Sequence, residues 1–217
     1  TGTIGVVDNL FNGVTGSGYL LASTGATLSI VDNTFQALGV GLLESTGVSS
    51  IERNKIISVS TSMSPLLKLS VVSPLSIVDN LFSNIDAITG FSIVAPSLSI
   101  SDNQFKDMHI ANFMQLNSTT VSFGNNTWKN ITTSSDLLKI NAAQTLMVFN
   151  EVFEQITGLS NALIAGADTS NIDLANSIFT GVTGFDTLLA LNSDNSALLT
   201  LLNCSVTAAT KLCVAQN

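Results

Sequence analysis

The sequence predicts an all-β fold in which the chain winds into a solenoid of about nine stacked coils, each built from three short strands. Three observations predict it. One motif recurs along the 217 residues, apolar and small polar residues alternate within its copies, and the turns between copies differ in length. Such a chain has strands of fixed length and turns of variable length, so we expect one domain that spans residues 1–217.

The motif is clearest in three segments, which read LSIVDNTF from Leu28, LSIVDNLF from Leu75 and LSISDNQF from Leu98. One aromatic or aliphatic position marks each copy: Phe11, Phe35, Ile56, Phe82, Phe105, Trp128, Phe153, Phe179 and Val206. Successive separations between these residues are 24, 21, 26, 23, 23, 25, 26 and 27 residues. A period that drifts in this way excludes a heptad or a rigid helical array and favours coils whose turns tolerate insertion.

Each of the three predicted strands, and the turn between coils, has its own sequence pattern. The first strand is predicted because Leu28 and Ile30 flank Ser29, an alternation typical of a strand with one buried face. The second strand is predicted at the aromatic step, as in residues 82–85. The third is predicted at a later apolar segment, as in residues 137–140. Turns rich in Gly, Ser and Pro, such as residues 15–18 and 60–65, separate the coils.

The most regular polar position precedes the aromatic step by two residues. Its members are Asn9, Asn33, Asn54, Asn80, Asn103 and Asn126. We predict that these side chains form a stacked, hydrogen-bonded column, because equivalent residues of neighbouring coils lie one strand spacing apart. Asn also tolerates the left-handed backbone that a sharp corner needs.

The last three copies depart from this pattern. Their asparagines stand one place earlier, at Asn150, Asn176 and Asn203. The column position is taken instead by Glu151, Ser177 and Cys204. We therefore expect these corners to be built differently.

The residue just before the column is charged in most copies and reads Asp8, Asp32, Arg53, Asp79, Asp102 and then Asn125. Like charges stacked at strand spacing repel, and Arg53 is the only arginine of the chain. We predict a structural charge ladder from Asp32 through Arg53 to Asp79. An intervening Arg argues against a row of calcium ions, so no metal and no cofactor is expected.

Composition excludes several partners. The formal net charge is −8 and only seven residues are Lys or Arg, so phosphate-rich nucleic acids and anionic membrane surfaces are disfavoured. No apolar run is long enough to predict a membrane-spanning helix. The 28 Ser, 23 Thr and 21 Asn predict an outer surface of hydroxyls and amides, with few charges.

The motif, and especially its N-x-F step, resembles the repeats of right-handed parallel β-helix proteins of the pectin-lyase-like class. The resemblance covers essentially the whole chain and implies a right-handed, single-stranded parallel β-helix. That class includes polysaccharide lyases, glycosidases, phage tailspikes, bacterial adhesins and long repeat proteins of eukaryotic microbes. The function therefore has to be argued from the residues rather than from the fold.

No catalytic residue is predicted. A glycosidase needs a matched pair of carboxylates, and the nearest candidates are Glu151, Glu154 and Asp173. No basic or aromatic substrate platform accompanies them. His109, the only histidine, is expected in a turn and without a catalytic partner.

The sequence suggests two covalent features, N-linked glycans and a disulfide, without deciding either. The N-x-[ST] sequence occurs at Asn117, Asn125, Asn130 and Asn203, which makes these residues candidates for N-linked glycans. Asn117 and Asn130 are the favoured carriers, because strand packing is expected to hide the other two. Cys204 and Cys213 form either a disulfide that staples the last coil or two buried thiols.

A regular coil begins at Ile4, and neither end of the sequence shows a polar cap. We therefore expect a segment of a longer solenoid, or a unit that self-associates head to tail through its open ends. The predicted function is a non-catalytic structural or adhesive solenoid, extracellular or at the cell surface, which polymerises into a filament and has carbohydrate as a further partner. The alternatives are a polysaccharide lyase or glycoside hydrolase and, third, a carbohydrate-binding spike or adhesin.

Overall fold

The computed structural model describes residues 2–62, 65–141, 144–167, 171–192, 198–207 and 213–216. These residues form an all-β chain without a helix, whose parallel strands stack as a solenoid of about eight turns. The predicted fold class is confirmed, and the turn count is close to the predicted nine. In this part of the chain no helix is long and apolar enough to cross a membrane.

The strands follow one another with short corners and turns between them. In chain order they are β1 Thr3–Val7, β2 Leu10–Asn12, β3 Thr15–Ser23, β4 Thr27–Val31, β5 Thr34–Ser45, β6 Val48–Glu52, β7 Lys55–Thr61, β8 Leu67–Ser70, β9 Leu75–Val78, β10 Leu81–Ser101, β11 Gln104–Gly124, β12 Thr127–Thr132, β13 Leu138–Asn141, β14 Thr145–Phe149, β15 Val152–Ala167, β16 Asn171–Ala175, β17 Ile178–Thr180, β18 Thr183–Asn192, β19 Leu198–Leu202, β20 Ser205–Thr207 and β21 Cys213–Gln216. The strands β5, β10, β11 and β15 bend through corners that the sequence pattern predicts as boundaries between short strands.

Each strand pairs in parallel with the equivalent strand one coil away. The series β1, β4, β6 and β9 shows this for the first strand of the coil, with Leu28 opposite Ile4 on one side and Val48 on the other. The aromatic positions are in register along the whole described stack, from Phe11 to Val206. The repeat alignment made from the sequence is therefore the register of the sheet.

The core is a set of continuous apolar rows along the solenoid axis. The aromatic row is buried from Phe35 to Phe179, with side chains at most 1% exposed. Neighbouring rings stack face to face at centroid distances of 4.2 to 5.6 Å, as in the pair Phe82 and Phe105. A period-two strand turns every second residue inward, so the rows follow directly from the motif.

The corner after the first strand of each coil contains one residue with a left-handed backbone. In the described corners φ lies between 51° and 60° at Asp8, Asp32, Arg53, Asp79, Asp102, Asn125, Asn150, Asn176 and Asn203. Asp and Asn adopt this conformation more readily than other non-glycine residues, because their short polar side chains can hydrogen-bond locally. The predominance of Asp and Asn at this position therefore has a backbone cause.

This geometry corrects two expectations. The left-handed residue precedes the Asn column and does not belong to it, and the corners of the last three copies have the same backbone as the others. Asn150, Asn176 and Asn203 are therefore not displaced members of the column. They occupy the left-handed position that Asp fills in most earlier coils.

A second left-handed corner lies two residues after the aromatic position in eight of the described coils. Here φ lies between 52° and 68° at Gly13, Ala37, Ser58, Asn84, Asp107, Asn130, Gln155 and Gly181. The residue type varies at this corner, so the sequence motif does not predict its left-handed backbone. The two corners and the variable turn give each coil its three sides.

A β-branched side chain at the first corner should destabilise the stack. We expect Asn176→Val to lower the free energy of unfolding by about 1 to 2 kcal/mol relative to Asn176→Gly, because Val must adopt a left-handed backbone. Both variants lose the same amide, so urea unfolding of the pair isolates the backbone cost. Equal unfolding midpoints for the two variants would contradict the role assigned to this corner.

Candidate functional site

Six asparagine side chains form a hydrogen-bonded column inside the first corner. The members from Asn33 to Asn126 are at most 2% exposed. In each step the backbone N–H and the side-chain Nδ2 of one residue both donate to Oδ1 of the Asn in the next coil. For Asn80 and Asn103 these distances are 2.9 and 3.0 Å. The predicted residues therefore lie together, in one row along the axis.

The column also binds the backbone of the corner. Nδ2 of Asn80 donates to the carbonyl of Val78 at 2.9 Å and to that of Ile51, one coil earlier, at 2.8 Å. Buried polar atoms without partners are costly, and the Asn amide supplies a donor and an acceptor at the same corner. Each Asn thus satisfies backbone groups that the sharp corner removes from the β-ladder.

The Asn column ends at Glu151, which is fully buried. Its Oε1 accepts the backbone N–H and Nδ2 of Asn126, both at 2.9 Å, and its Oε2 accepts the indole N–H of Trp128. Trp128 replaces Phe in the aromatic row, so its N–H needs an acceptor in the core. Glu151 supplies that acceptor and also accepts the two hydrogen bonds that Asn126 would otherwise donate to an Asn of the next coil.

Burial raises the pKa of the Glu151 carboxyl to about 7, although the hydrogen bonds from Trp128 and Asn126 oppose the shift. The Asp102 carboxylate adds to the increase. A buried carboxyl whose pKa lies near neutrality is the chemically most unusual group in the described residues. Sequence reasoning missed its role, yet a signal existed: the one Trp of the aromatic row and the one Glu of the column stand in adjacent coils.

Beyond Glu151 the equivalent positions are occupied by Ser177 and Cys204, which make fewer hydrogen bonds. The backbone N–H of Glu151 donates to Oγ of Ser177 at 3.3 Å, and that hydroxyl donates to the carbonyl of Ala175 at 3.0 Å. In the next coil the Cys204 thiol lies 3.6 Å from the carbonyls of Leu174 and Leu202. These corners keep the backbone shape of the earlier ones but lose the amide ladder.

The charge ladder is only partly formed. Arg53 binds Asp32 with two hydrogen bonds, of 2.8 and 3.0 Å, and its guanidinium holds the pKa of Asp32 below its usual value. Its remaining ion pair is with Glu52 of its own coil, at 3.3 Å, and not with Asp79. The predicted step to Asp79 is wrong, because the guanidinium turns toward the preceding coil and its neighbour in sequence.

Three further ion pairs join neighbouring coils on the outer surface. Their members are Glu44 with Lys68 at 2.7 Å, Asp86 with His109 at 3.2 Å and Lys129 with Glu154 at 2.8 Å. His109 lies in strand β11, so its expected position in a turn is wrong. Its strand brings it opposite Asp86 of β10, one coil earlier.

The three acids considered for glycoside chemistry do not converge. Glu151 is buried in the column, Glu154 is bound to Lys129, and Asp173 is an exposed residue of β16 opposite Met147. Across the described ranges, no group of three or more His, Cys, Asp or Glu side chains is placed to hold a metal ion. The three candidates thus remain separate carboxyl groups.

All four glycosylation candidates are exposed, which corrects the expectation that Asn125 and Asn203 are hidden. Both have the left-handed corner backbone, which turns their side chains outward. Nδ2 of Asn125 donates to Asp102 at 3.1 Å, and Nδ2 of Asn130 donates to Asp107 at 2.8 Å. Asn117 lies in the regular part of β11. Exposure therefore gives no reason to favour Asn117 and Asn130 over Asn125 and Asn203 as glycan carriers.

Cys204 has a free thiol in the structure. Its position inside the first corner explains its contacts with backbone carbonyls. The side chain of Cys213 lies outside the described residues. The disulfide therefore stays a prediction.

Comparison with protein-family models, with curated proteins and with solved structures gives no match. The chemistry of the chain therefore has to be argued from its own residues.

Removing one member of the column should destabilise the whole stack. We expect Asn80→Ala to lower the free energy of unfolding by about 3 kcal/mol or more, because the buried N–H and Nδ2 of Asn54 lose their acceptor. Asn117→Ala, at an exposed strand position, is the control and should change it by less than about 0.5 kcal/mol. Similar effects of the two substitutions in urea unfolding would show that the column is not essential.

Trp128 and Glu151 should behave as a coupled pair. Glu151→Asn extends the Asn column but leaves the indole N–H without an acceptor, whereas Trp128→Phe leaves Oε2 without a donor. We expect the free energy of unfolding of the double variant to be at least about 1 kcal/mol higher than the sum of the two single losses predicts, because the double variant restores the motif of the earlier coils. Additive losses in chemical unfolding would rule out this coupling.

Proposed function

We propose that the chain is a non-catalytic structural or adhesive solenoid, located outside the cell or at its surface, whose copies associate end to end into a filament. The observation that supports this proposal most is that oppositely charged side chains are bound to each other across coils. Three pairs do this, Asp32 with Arg53, Glu44 with Lys68 and Lys129 with Glu154, and the His109 ring is bound to Asp86 in the same way. Arg53, Lys68 and Lys129 thus join one coil to the next, where an enzyme would direct such groups toward a substrate.

The architecture supports a place among right-handed β-helices of the pectin-lyase-like class, as the motif implies. The hydrolytic or lyase chemistry of that class is less well supported. Glu151 has no access to solvent, and Glu154 is paired with Lys129. A glycosidase would need two such carboxyl groups facing one substrate.

An outward row of hydroxyls supports an adhesive surface with carbohydrate as a partner. Ser29, Ser50, Ser76, Ser99 and Ser122 are in register along one side of the solenoid. The hydroxyls of Ser29 and Ser50 lie 3.0 Å apart. Hydroxyl and amide rows of this kind can exchange hydrogen bonds with sugars, and glycans at the exposed sequons would keep such a weakly charged surface soluble.

End-to-end association is supported by the edge that β1 presents. Ile4 is aligned with Leu28, yet Ile4 is 48% exposed and Leu28 is 3% exposed. Asn9 donates into the column, so its own Oδ1 is placed to accept the same two donors from a further coil. In the proposed filament a second copy would supply that coil and bury the apolar row, as a further coil of the same chain would in a longer solenoid.

The assembly can be tested by negative-stain microscopy and sedimentation over a range of concentrations. We expect fibres from the native chain and none from Ile4→Asp, because a carboxylate in the apolar row opposes stacking of a further coil. Val72→Asp is the control, since Val72 is 94% exposed and lies away from the edge.

A discrete monomer at every concentration would contradict polymerisation. Depolymerisation of acidic glycans, measured with and without calcium, would instead favour the polysaccharide lyase or glycoside hydrolase alternative. Glycan binding by a monomer without turnover would favour the carbohydrate-binding spike.

A further inference from the structure

Glu151 lies at the boundary between two kinds of corner. On one side, Asn126 donates two hydrogen bonds to it, as in each earlier step of the column. On the other side, a single hydrogen bond of 3.3 Å leads from its backbone to Ser177. The contact between the sixth and seventh coils, here called the Glu151 junction, therefore depends on a carboxyl group where earlier contacts use an amide.

We propose that Glu151 is a pH-sensitive latch, which holds the Glu151 junction closed when the carboxyl is protonated and loosens it when the carboxyl is ionised. The junction comprises the corner residues Asn125 and Asn126 on one side and β14, Glu151 and β15 on the other. Backbone hydrogen bonds cross it from Asn125 to Phe149 at 3.1 Å and from Val152 to Asn126 at 3.0 Å.

The charges around the carboxyl favour its neutral form. Asp102 is the charged group on the side of the preceding coils, and it repels a carboxylate at position 151. Lys129 of β12, the strand that carries Trp128, is bound to Glu154 of β15 on the outer surface. Asp173 of β16, on the other side, is a further acid. Within the described ranges, ionised Glu151 therefore has N–H donors but no cation bound to it.

The ring centroids of the aromatic row are farther apart at the junction than at its neighbours. The rings of Trp128 and Phe153, which meet across it, have centroids 5.6 Å apart. The adjacent stacked pairs are closer, at 4.2 Å for Phe105 with Trp128 and 4.8 Å for Phe153 with Phe179. Both rings are buried, so water reaches Glu151 only when these two coils separate.

The direction of the pH effect follows from linkage. The pKa of Glu151 is raised by burial from 4.5 to about 7, so its contribution to closure is complete below pH 4.5 and is lost as the pH rises through 7. A difference of this size corresponds to a change of up to about 300-fold in the opening equilibrium. Opening should therefore increase between pH 5 and pH 8.

Amide hydrogen exchange, corrected for intrinsic rates, tests the latch on the full chain. We expect protection of the peptides that cover residues 120–132 and 145–157 to fall by about 70-fold between pH 5 and pH 8. Peptides that cover residues 34–61 should keep their protection. In the Glu151→Asn variant both regions should be independent of pH. Glu44→Gln, which removes a carboxylate from an ion pair away from the junction, is the matched control that should behave like the native chain.

Trp128 is the single tryptophan, so its emission reports on the junction directly. We expect a shift to longer wavelength with a midpoint near pH 7 in the native chain and in Glu44→Gln, and no shift in Glu151→Asn. If Glu151→Asn does not fold, the Trp128→Phe/Glu151→Asn variant provides the exchange comparison. Exchange that does not change with pH in the native chain would overturn the proposal, even if the emission shifts. An equal change in the variant without Glu151 would overturn it as well.

Discussion

Stacking at one strand spacing is the constraint on which the structure depends. Each coil lies about 4.8 Å from the next, so a buried polar atom can be satisfied only by its own coil or by the same position in a neighbouring one. The Asn column meets this condition at the sharpest corner of the coil. A primary amide both donates and accepts, so identical residues can bind each other without limit along the axis. The same spacing explains the aromatic row, in which rings of successive coils stack on each other.

Glu151 shows what happens when the condition is met by a different group. The Glu151 oxygens accept from Asn126 and Trp128, but in the described structure its side chain makes no hydrogen bond to the next coil. The Asn column therefore stops here. Ser177 and Cys204 then occupy positions where fewer hydrogen bonds are made. The solenoid is thus uniform in backbone shape, as the repeated left-handed corners show, and uneven in the polar contacts that hold its coils together.

The sequence predicts the features that arise from repetition. Alternation at Leu28 and Ile30 predicts the inward rows, and the spacing of the aromatic positions predicts their register. Features that arise from one side chain could not be predicted in this way. The motif places Arg53 between two acids but cannot say which one its guanidinium faces. It also cannot separate the corner residue from the column residue, because Asn suits both positions and only the backbone angle distinguishes them.

The central claim is that the Asn column holds the corners together, and the backbone amides of Asn33, Asn54, Asn80 and Asn103 test it most directly. Each of these N–H groups is bound to a side-chain Oδ1 of the next coil and not to a strand carbonyl. Residue-resolved hydrogen exchange by NMR should find them among the slowest amides of the chain, opening only with global unfolding. Rapid exchange at these four positions, while the flanking strands stay protected, would contradict the account.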